Sequence, residues 1–293
     1  MGVDEWTRKS NLYTIRLDGI HRDDDTRYQW AAVGQVGESS MSKYEECKKP
    51  IKALSDFVEY IEEHKEKEYG RNNHVDFLFR GQPVDEPLRP TLARLGWNEQ
   101  VMLKREELIL EEFARTAAPF LKPGLDTKWD RLAVAQHHGL PTRLLDWTYS
   151  ATVALWFAVS DPQKDDRGKM RDGVVWIMKP LLDDFINFPT KEDETPFNGE
   201  RTRIFRPRVI ADRIAAQSGI FTVHAVRNKK FISLEKNTKF SSKLIKIPIK
   251  HGVFSKLQEQ LHACGVNSST AYPGLDGLCR HLKWRYTRKS HDD

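Results

Sequence analysis

The chain has 293 residues, 39% of them hydrophobic, which is enough to build a core without covalent staples. Its three cysteines, Cys47, Cys264 and Cys279, are odd in number and far apart, so they write neither a disulfide framework nor a four-cysteine zinc site and imply a reducing compartment. The formal net charge of +5 hides an asymmetry: residues 200–293 hold 19 Lys or Arg against 7 Asp or Glu, a net of +12, while residues 1–199 sum to −7.

A basic half of this kind suits a polyanion such as a nucleic acid, and equally suits complementing an acidic half of the same fold. No run of 18 apolar residues occurs, and the opening M-G-V-D-E-W places acids where a secretory leader has basic and then apolar residues. The expectation is a soluble, cytoplasmic protein with no membrane contact.

In residues 1–45, Leu12, Thr14 and Arg16 alternate weakly with Tyr13, Ile15 and Leu17 before a Gly/Ser stretch, predicting an N-terminal arm or hairpin. Between 51 and 69, Leu54, Phe57, Val58 and Ile61 fall at i, i+3, i+4 and i+7, the spacing of a helix with one face on a core. The apolar run 75–79 predicts a strand that breaks at Arg80-Gly81. A second helix is predicted over 99–118, with Glu106, Glu107, Glu111 and Glu112 on a solvated face. A third, over 129–138, is closed by Gly139, the residue best able to take a positive φ.

Beyond the turn at Pro141, residues 149–160 predict a buried helix whose Ala151, Ala154 and Ala158 permit close approach. Strands are predicted at 173–178, 220–224 and 244–249, and helices at 253–261 and 275–284. The segment 180–212, rich in Pro, acids and then Arg, reads as a lid or binding loop. Helices and strands that mix without regular alternation give an α+β class, a mixed sheet core with several packed helices.

Reactive side chains concentrate at 137–150, where His137, His138, Arg143, Asp146, Trp147, Thr148 and Ser150 crowd around Gly139 and Pro141. Arg80 offers a rigid donor fork matched to phosphate oxygens, and Gly81 beside it would let a ligand approach the backbone. Each of these residues also has a plainer role. Arg80 can pair with a carboxylate, a helix-end histidine can face the helix dipole, Arg143 and Asp146 can pin the turn, and Thr148 and Ser150 can cap the next helix. No metal-ligand spacing, P-loop, G-x-G-x-x-G or G-x-S-x-G is present, so no metal is expected.

The motifs F-R-G-Q at 79–82, L-x-P at 88–90, A-Q-H-H-G-L-P-T-R-L-L-D-W-T at 135–148, D-G-V-V-W at 172–176, R-I-A-A-Q-S-G-I-F-T at 213–222 and Y-P-G-L-D-G-L at 272–278 together resemble the FRG domain, named for its aromatic-Arg-Gly motif. On that resemblance the chain divides into an arm at 1–45, an FRG-like domain at 46–284 and a basic tail at 285–293. A second resemblance is to ADP-ribosyltransferases. Their NAD site begins with an aromatic-Arg-Gly at the end of the first core strand, continues with a strand ending in Ser or Thr before a helix beneath the site, and finishes with a Glu on a later strand. The order here is similar, with Phe79-Arg80-Gly81, then Asp146 to Ser150 before a helix, then Gln217 before the 220–224 strand.

The second resemblance implies an ADP-ribosyltransferase-like fold with NAD as substrate, held by Arg80, Gly81, Arg143, Trp147, Thr148 and Ser150. It draws the catalytic residues from Asp146, Asp276, Gln217 and His138. Breaking the nicotinamide bond passes through an oxocarbenium-like state that needs a carboxylate, and Gln217 is neutral, so Asp146, Asp276, Glu106 and Glu107 are the candidate acids. The activity implied is an NAD-consuming transferase acting on an intracellular macromolecule, including nucleic acid met through the basic C-terminal half. It would serve as a bacterial toxin or phage-defence effector, with an antitoxin or regulatory protein as partner. Two other readings stand beside it: a nucleotide-sensing or nucleic-acid-binding module without catalysis, and a metal-independent ribonuclease built on His137 or His138 with Arg143.

Overall fold

The structure is a computed structural model that describes residues 44–69, 76–96, 98–121, 127–186, 195–197, 199, 201–207, 219–227 and 230–287. These lie in one compact unit, Met41–Asp293. The arm expected before residue 44, Gln217, most of the expected loop at 180–212 and the chain from 288 onward fall outside the described residues.

Among the described residues the fold is α+β, with seven α-helices and a mixed seven-stranded sheet. The strands are β1 (Glu45–Glu46), β2 (Leu78–Gln82), β3 (Leu144–Thr148), β4 (Gly173–Met178), β5 (Arg203–Phe205), β6 (Gly219–Val223) and β9 (Leu244–Ile249), in the order β1-β9-β4-β2-β3-β6-β5. Only β1 and β9 run parallel; every other neighbouring pair is antiparallel. A separate two-stranded ribbon joins β7 (Val226–Arg227) to β8 (Lys230–Phe231). The helices are α1 (Leu54–Tyr69), α2 (Glu99–Thr116), α3 (Lys128–His137), α4 (Ala151–Val159), α5 (Phe254–Ala263), α6 (Ser268–Ala271) and α7 (Leu275–Thr287).

The central strand β4 is apolar on both faces because both faces are covered, whereas β9 is apolar on one and carries Lys246, paired with Asp85, on the other. Val175 and Ile177 of β4 join Ile245, Ile247 and Ile249 of β9 beneath α1, α4 and α5, where Phe57, Leu155, Phe254 and Leu257 are almost wholly enclosed. Val174, Trp176 and Met178 point the other way, into a cluster closed by Leu88, Leu234 and Phe240 from short irregular segments. Full burial of each large apolar side chain contributes about 1.5–3 kcal/mol, so these two layers carry most of the stabilisation. A third cluster seats α3 on the far strands, through Trp129 and Leu132 against Leu144, Phe205 and Phe221.

Helix α4 lies directly on β2 and β4, and two glycines set that distance. A Cβ on Gly81 would stand 1.8 Å from the Ala154 carbonyl oxygen, and one on Gly173 would stand 2.4 Å from that of Ala158. Gly81 is therefore required by packing, and it lines a cleft beside Arg80. It also lies inside a strand that runs on to Gln82, so the expected break at Arg80-Gly81 does not occur.

Candidate functional site

The long motif at 135–148 is built from the end of α3 outward. Thr127 caps the helix by accepting from the Asp130 N–H at 3.1 Å. At the other end Gly139 takes a φ of 86°, while the Leu140 N–H reaches back to the Ala135 carbonyl at 3.0 Å and the Gly139 N–H to that of Gln136 at 3.0 Å. That is the double bond of a Schellman closure. The chain then turns at Pro141, and the Thr142 hydroxyl donates to Gln136 Oε1 at 2.6 Å before β3 begins.

Strands β2 and β3 are neighbours, yet they share one aligned pair, Phe79 with Thr148. By contrast β2 follows β4 from Leu78 to Gln82, and β3 follows β6 along its whole length. The two strands therefore diverge beyond that pair and open a cleft of about 280 Å³, lined by Arg80, Gln136, His137, Asp146, Thr148, Phe157 and Tyr272 among others.

Arg80 spans the gap. Its Nη1 donates to the Asp146 backbone carbonyl at 2.8 Å and lies 3.7 Å from the Asp146 carboxylate, while its Nε donates to Gln82 Oε1 at 3.1 Å. Nη2 has no hydrogen-bond partner among the described residues, and the side chain keeps 18% exposure. Desolvation pulls the guanidinium below its usual proton affinity, with Asp146 pulling the other way, and an arginine in this position stays charged. The Asp146 carboxylate is 57% exposed and accepts from Gln136 Nε2 at 3.1 Å. Cation, orienting amide and accessible carboxylate thus meet at one mouth.

Of the other expected site residues, Gly81, His137, Trp147 and Thr148 line this cleft, whereas Arg143, His138, Ser150 and Asp276 do not. Arg143 is buried and meets Glu106 instead of Asp146: Nε donates to Glu106 Oε2 at 2.8 Å, Nη2 lies 2.7 Å from the same oxygen, and the Arg143 N–H donates to Oε1 at 2.9 Å. Its remaining fork reaches the Pro196 carbonyl at 3.2 Å, and the guanidinium sits over the Phe197 ring. Glu106 is consequently 2% exposed, a correction to the solvated face expected for it, whereas Glu107 stays on the surface 3.5 Å from Lys128. The buried pair pins the turn to α2.

Trp147 borders the cleft but is 2% exposed, with its Nε1 donating to Thr222 Oγ1 at 3.1 Å. Ser150 caps α4 by accepting from the Val153 N–H at 3.3 Å and does not line the cleft. Thr148 does line it, while its hydroxyl accepts from the Ser150 N–H at 3.0 Å. Of the adjacent histidines, His137 lines the cleft and His138, the exposed cap of α3, does not. Asp276 stands exposed in the first turn of α7, away from the cleft, and Gln217 lies outside the described residues.

Gln136, Phe157 and Tyr272 were not expected at the site; Gln136 and Tyr272 belong to the motifs quoted above, and only the fold brings them to Arg80. Within the basic half, Arg203 donates to the Phe185 carbonyl at 2.9 Å and Arg206 sits over the Phe185 ring, so two of its arginines also do structural work. Among the described residues no group of three or more His, Cys, Asp or Glu is arranged to hold a metal ion, and no helix is long and apolar enough to cross a membrane.

A family model described as the FRG domain matches residues 75–167, the stretch from the start of β2 past the end of α4. No curated protein and no solved structure matches the chain.

Proposed function

With residues 75–167 forming an FRG domain whose diverging strands carry Arg80 and Asp146 on facing lips of one cleft, we propose that the protein is an ADP-ribosyltransferase-like enzyme that consumes NAD. The observation that carries this reading is the 3.7 Å approach of an accessible carboxylate to a guanidinium whose Nη2 has no partner among the described residues. The guanidinium suits the NAD diphosphate, since its planar fork matches phosphate oxygens. The carboxylate suits the positive charge that develops at C1′ of the ribose.

In the reaction the bond between C1′ and nicotinamide breaks, its electron pair leaving with neutral nicotinamide. A hydroxyl or amine of an intracellular macromolecule then bonds to C1′, and its proton passes to the Asp146 carboxylate. Asp146 takes the role for which Gln217 lacks the charge, and Gln136 holds it in place. Such an activity would serve a toxin or phage-defence effector, with nucleic acid as an acceptor suited to the basic C-terminal half.

The test is to incubate the purified protein with NAD and cell extract and to measure free nicotinamide by chromatography. Release by the parent that is lost in Asp146→Asn supports the proposal. Binding of NAD without release makes the domain a nucleotide-binding module, and the absence of both binding and release overturns the assignment of the cleft.

A further inference from the structure

A second cavity, of about 400 Å³, opens between α4, α5, α6 and α7; it shares Tyr272 with the cleft but is not lined by Arg80 or Asp146. Its walls combine three kinds of chemistry. Trp156, Tyr272 and Trp284 supply aromatic surface. His262 and His281 stand side by side with ring centroids 5.0 Å apart, and the Nδ1 atom of each is buried with no hydrogen-bond partner among the described residues. Arg280, an exposed residue whose guanidinium sits 5.2 Å over the Tyr272 ring, adds a cation, and Asp161 adds a carboxylate.

From this combination we infer that the cavity binds a nucleoside monophosphate. A nucleobase is flat, stacks on aromatic rings and presents donors and acceptors along its edge, which imidazole nitrogens can pair with. His281 is 9% exposed, and burial, helped by His262 and Arg285, holds its proton affinity below the ordinary value. The His281 side of the wall therefore disfavours a positive charge and suits the base, while a phosphate belongs at Arg280. The Asp161 carboxylate matches a sugar hydroxyl, the partner that an acidic residue takes in other nucleotide sites. A buried imidazole nitrogen left without a partner is costly, so a ligand that supplies one recovers part of that cost.

The experiment titrates the full chain with the adenosine, guanosine, cytidine and uridine monophosphates, up to millimolar concentration, while following the imidazole nitrogens of His262 and His281 by NMR. Assignment comes from His262→Gln and His281→Gln. At least one nucleotide shifts both Nδ1 resonances with saturation, and Arg280→Glu weakens its binding five- to tenfold. Arg280 is exposed, so this variant keeps the fold, and an unchanged melting temperature checks that. Arg80→Ala retains the binding, which separates this site from the NAD proposal. The inference is overturned if none of the four nucleotides shifts the two histidines, if Arg280→Glu binds like the parent, or if Arg80→Ala alone abolishes the effect.

Discussion

Arg80 donates to the backbone carbonyl of Asp146 at 2.8 Å, across the gap between two strands and 66 residues along the chain. The same contact that ties β2 to β3 sets the side chain of Asp146 beside the guanidinium. One arginine is thus both a strut for the cleft and the cation within it, and its two roles separate by measurement.

On the proposed function, replacing Arg80 with Ala removes the diphosphate anchor, and it removes one hydrogen bond across the gap. Loss of a charged hydrogen-bonding partner costs about 2 kcal/mol, roughly a thirtyfold fall in NAD affinity. Calorimetric titration of a variant that still unfolds cooperatively checks this. Parental affinity removes Arg80 from the site.

Asp146→Asn keeps the size and most contacts of the side chain while removing its charge. If that charge acts on the transition state as proposed, nicotinamide release falls on the order of a hundredfold with little change in NAD affinity. Equal loss of rate and affinity would assign Asp146 to binding alone, and an unchanged rate would take it out of the reaction.

The Glu106 and Arg143 pair gives the opposite expectation, one of stability. Truncating Glu106 to Ala leaves a buried guanidinium without its counter-charge, which costs about 3–5 kcal/mol. Urea unfolding reads this as a lower midpoint. A change below about 1 kcal/mol would mean that the pair is not the anchor of the turn at 141–143.

These four residues also show how far the sequence could be read. The helices of α1, α2, α3 and α4 and the strands β4, β6 and β9 follow from apolar spacing and turn residues, because that periodicity is imposed by faces the chain itself buries. Strand β3 was legible only through the order of the second resemblance and not in apolar spacing: L-L-D-W-T has no clean alternation, since Leu144 and Leu145 fill clusters on opposite faces. The partner of Arg143 was equally hidden. Glu106 sits among four glutamates that look alike in sequence, and only tertiary packing selects the one that is buried. Of the candidate site, Arg80, Asp146 and Thr148 were legible in their motifs, whereas Tyr272 comes from far along the chain and Gln217 falls outside the described residues.

Gly81→Ala places a methyl group 1.8 Å from the Ala154 carbonyl oxygen. The clash is with helix backbone, which cannot rotate away as a side chain can, so the expected cost is about 3 kcal/mol, at the top of the range for overpacking. A thermal melt checks it. A variant as stable as the parent would mean that α4 lifts from the sheet without penalty.

Acid stability depends on His224. Burial lowers its pKa from 6.5 to about 3, with the Arg80 charge adding to the effect. Above pH 6.5 neither folded nor unfolded chain takes up the proton, and the full stability is present. As pH falls from 6.5 toward 3 the unfolded chain binds it and the folded chain does not, so stability is lost by up to about 1.4 kcal/mol per unit. Urea midpoints between pH 7 and 4 should fall more gently in His224→Gln than in the parent, and parallel slopes would show that this imidazole does not govern the acid limb.

The strand order β1-β9-β4-β2-β3-β6-β5 interleaves the beginning and end of the domain, with Glu45 set beside Ile245. Between residues 75 and 167 only β2 and β3 are made, and they touch at one pair; β4, β6 and β9, which complete the sheet around them, are all translated later. A ribosome making this chain therefore exposes Phe79, Leu145 and Trp147 well before their partners emerge. Loop closure on this scale is slow, so the nascent domain passes through a long interval in which a chaperone or a neighbouring chain can reach its core, and cutting the gene down to its motif-bearing stretch prolongs that interval without end.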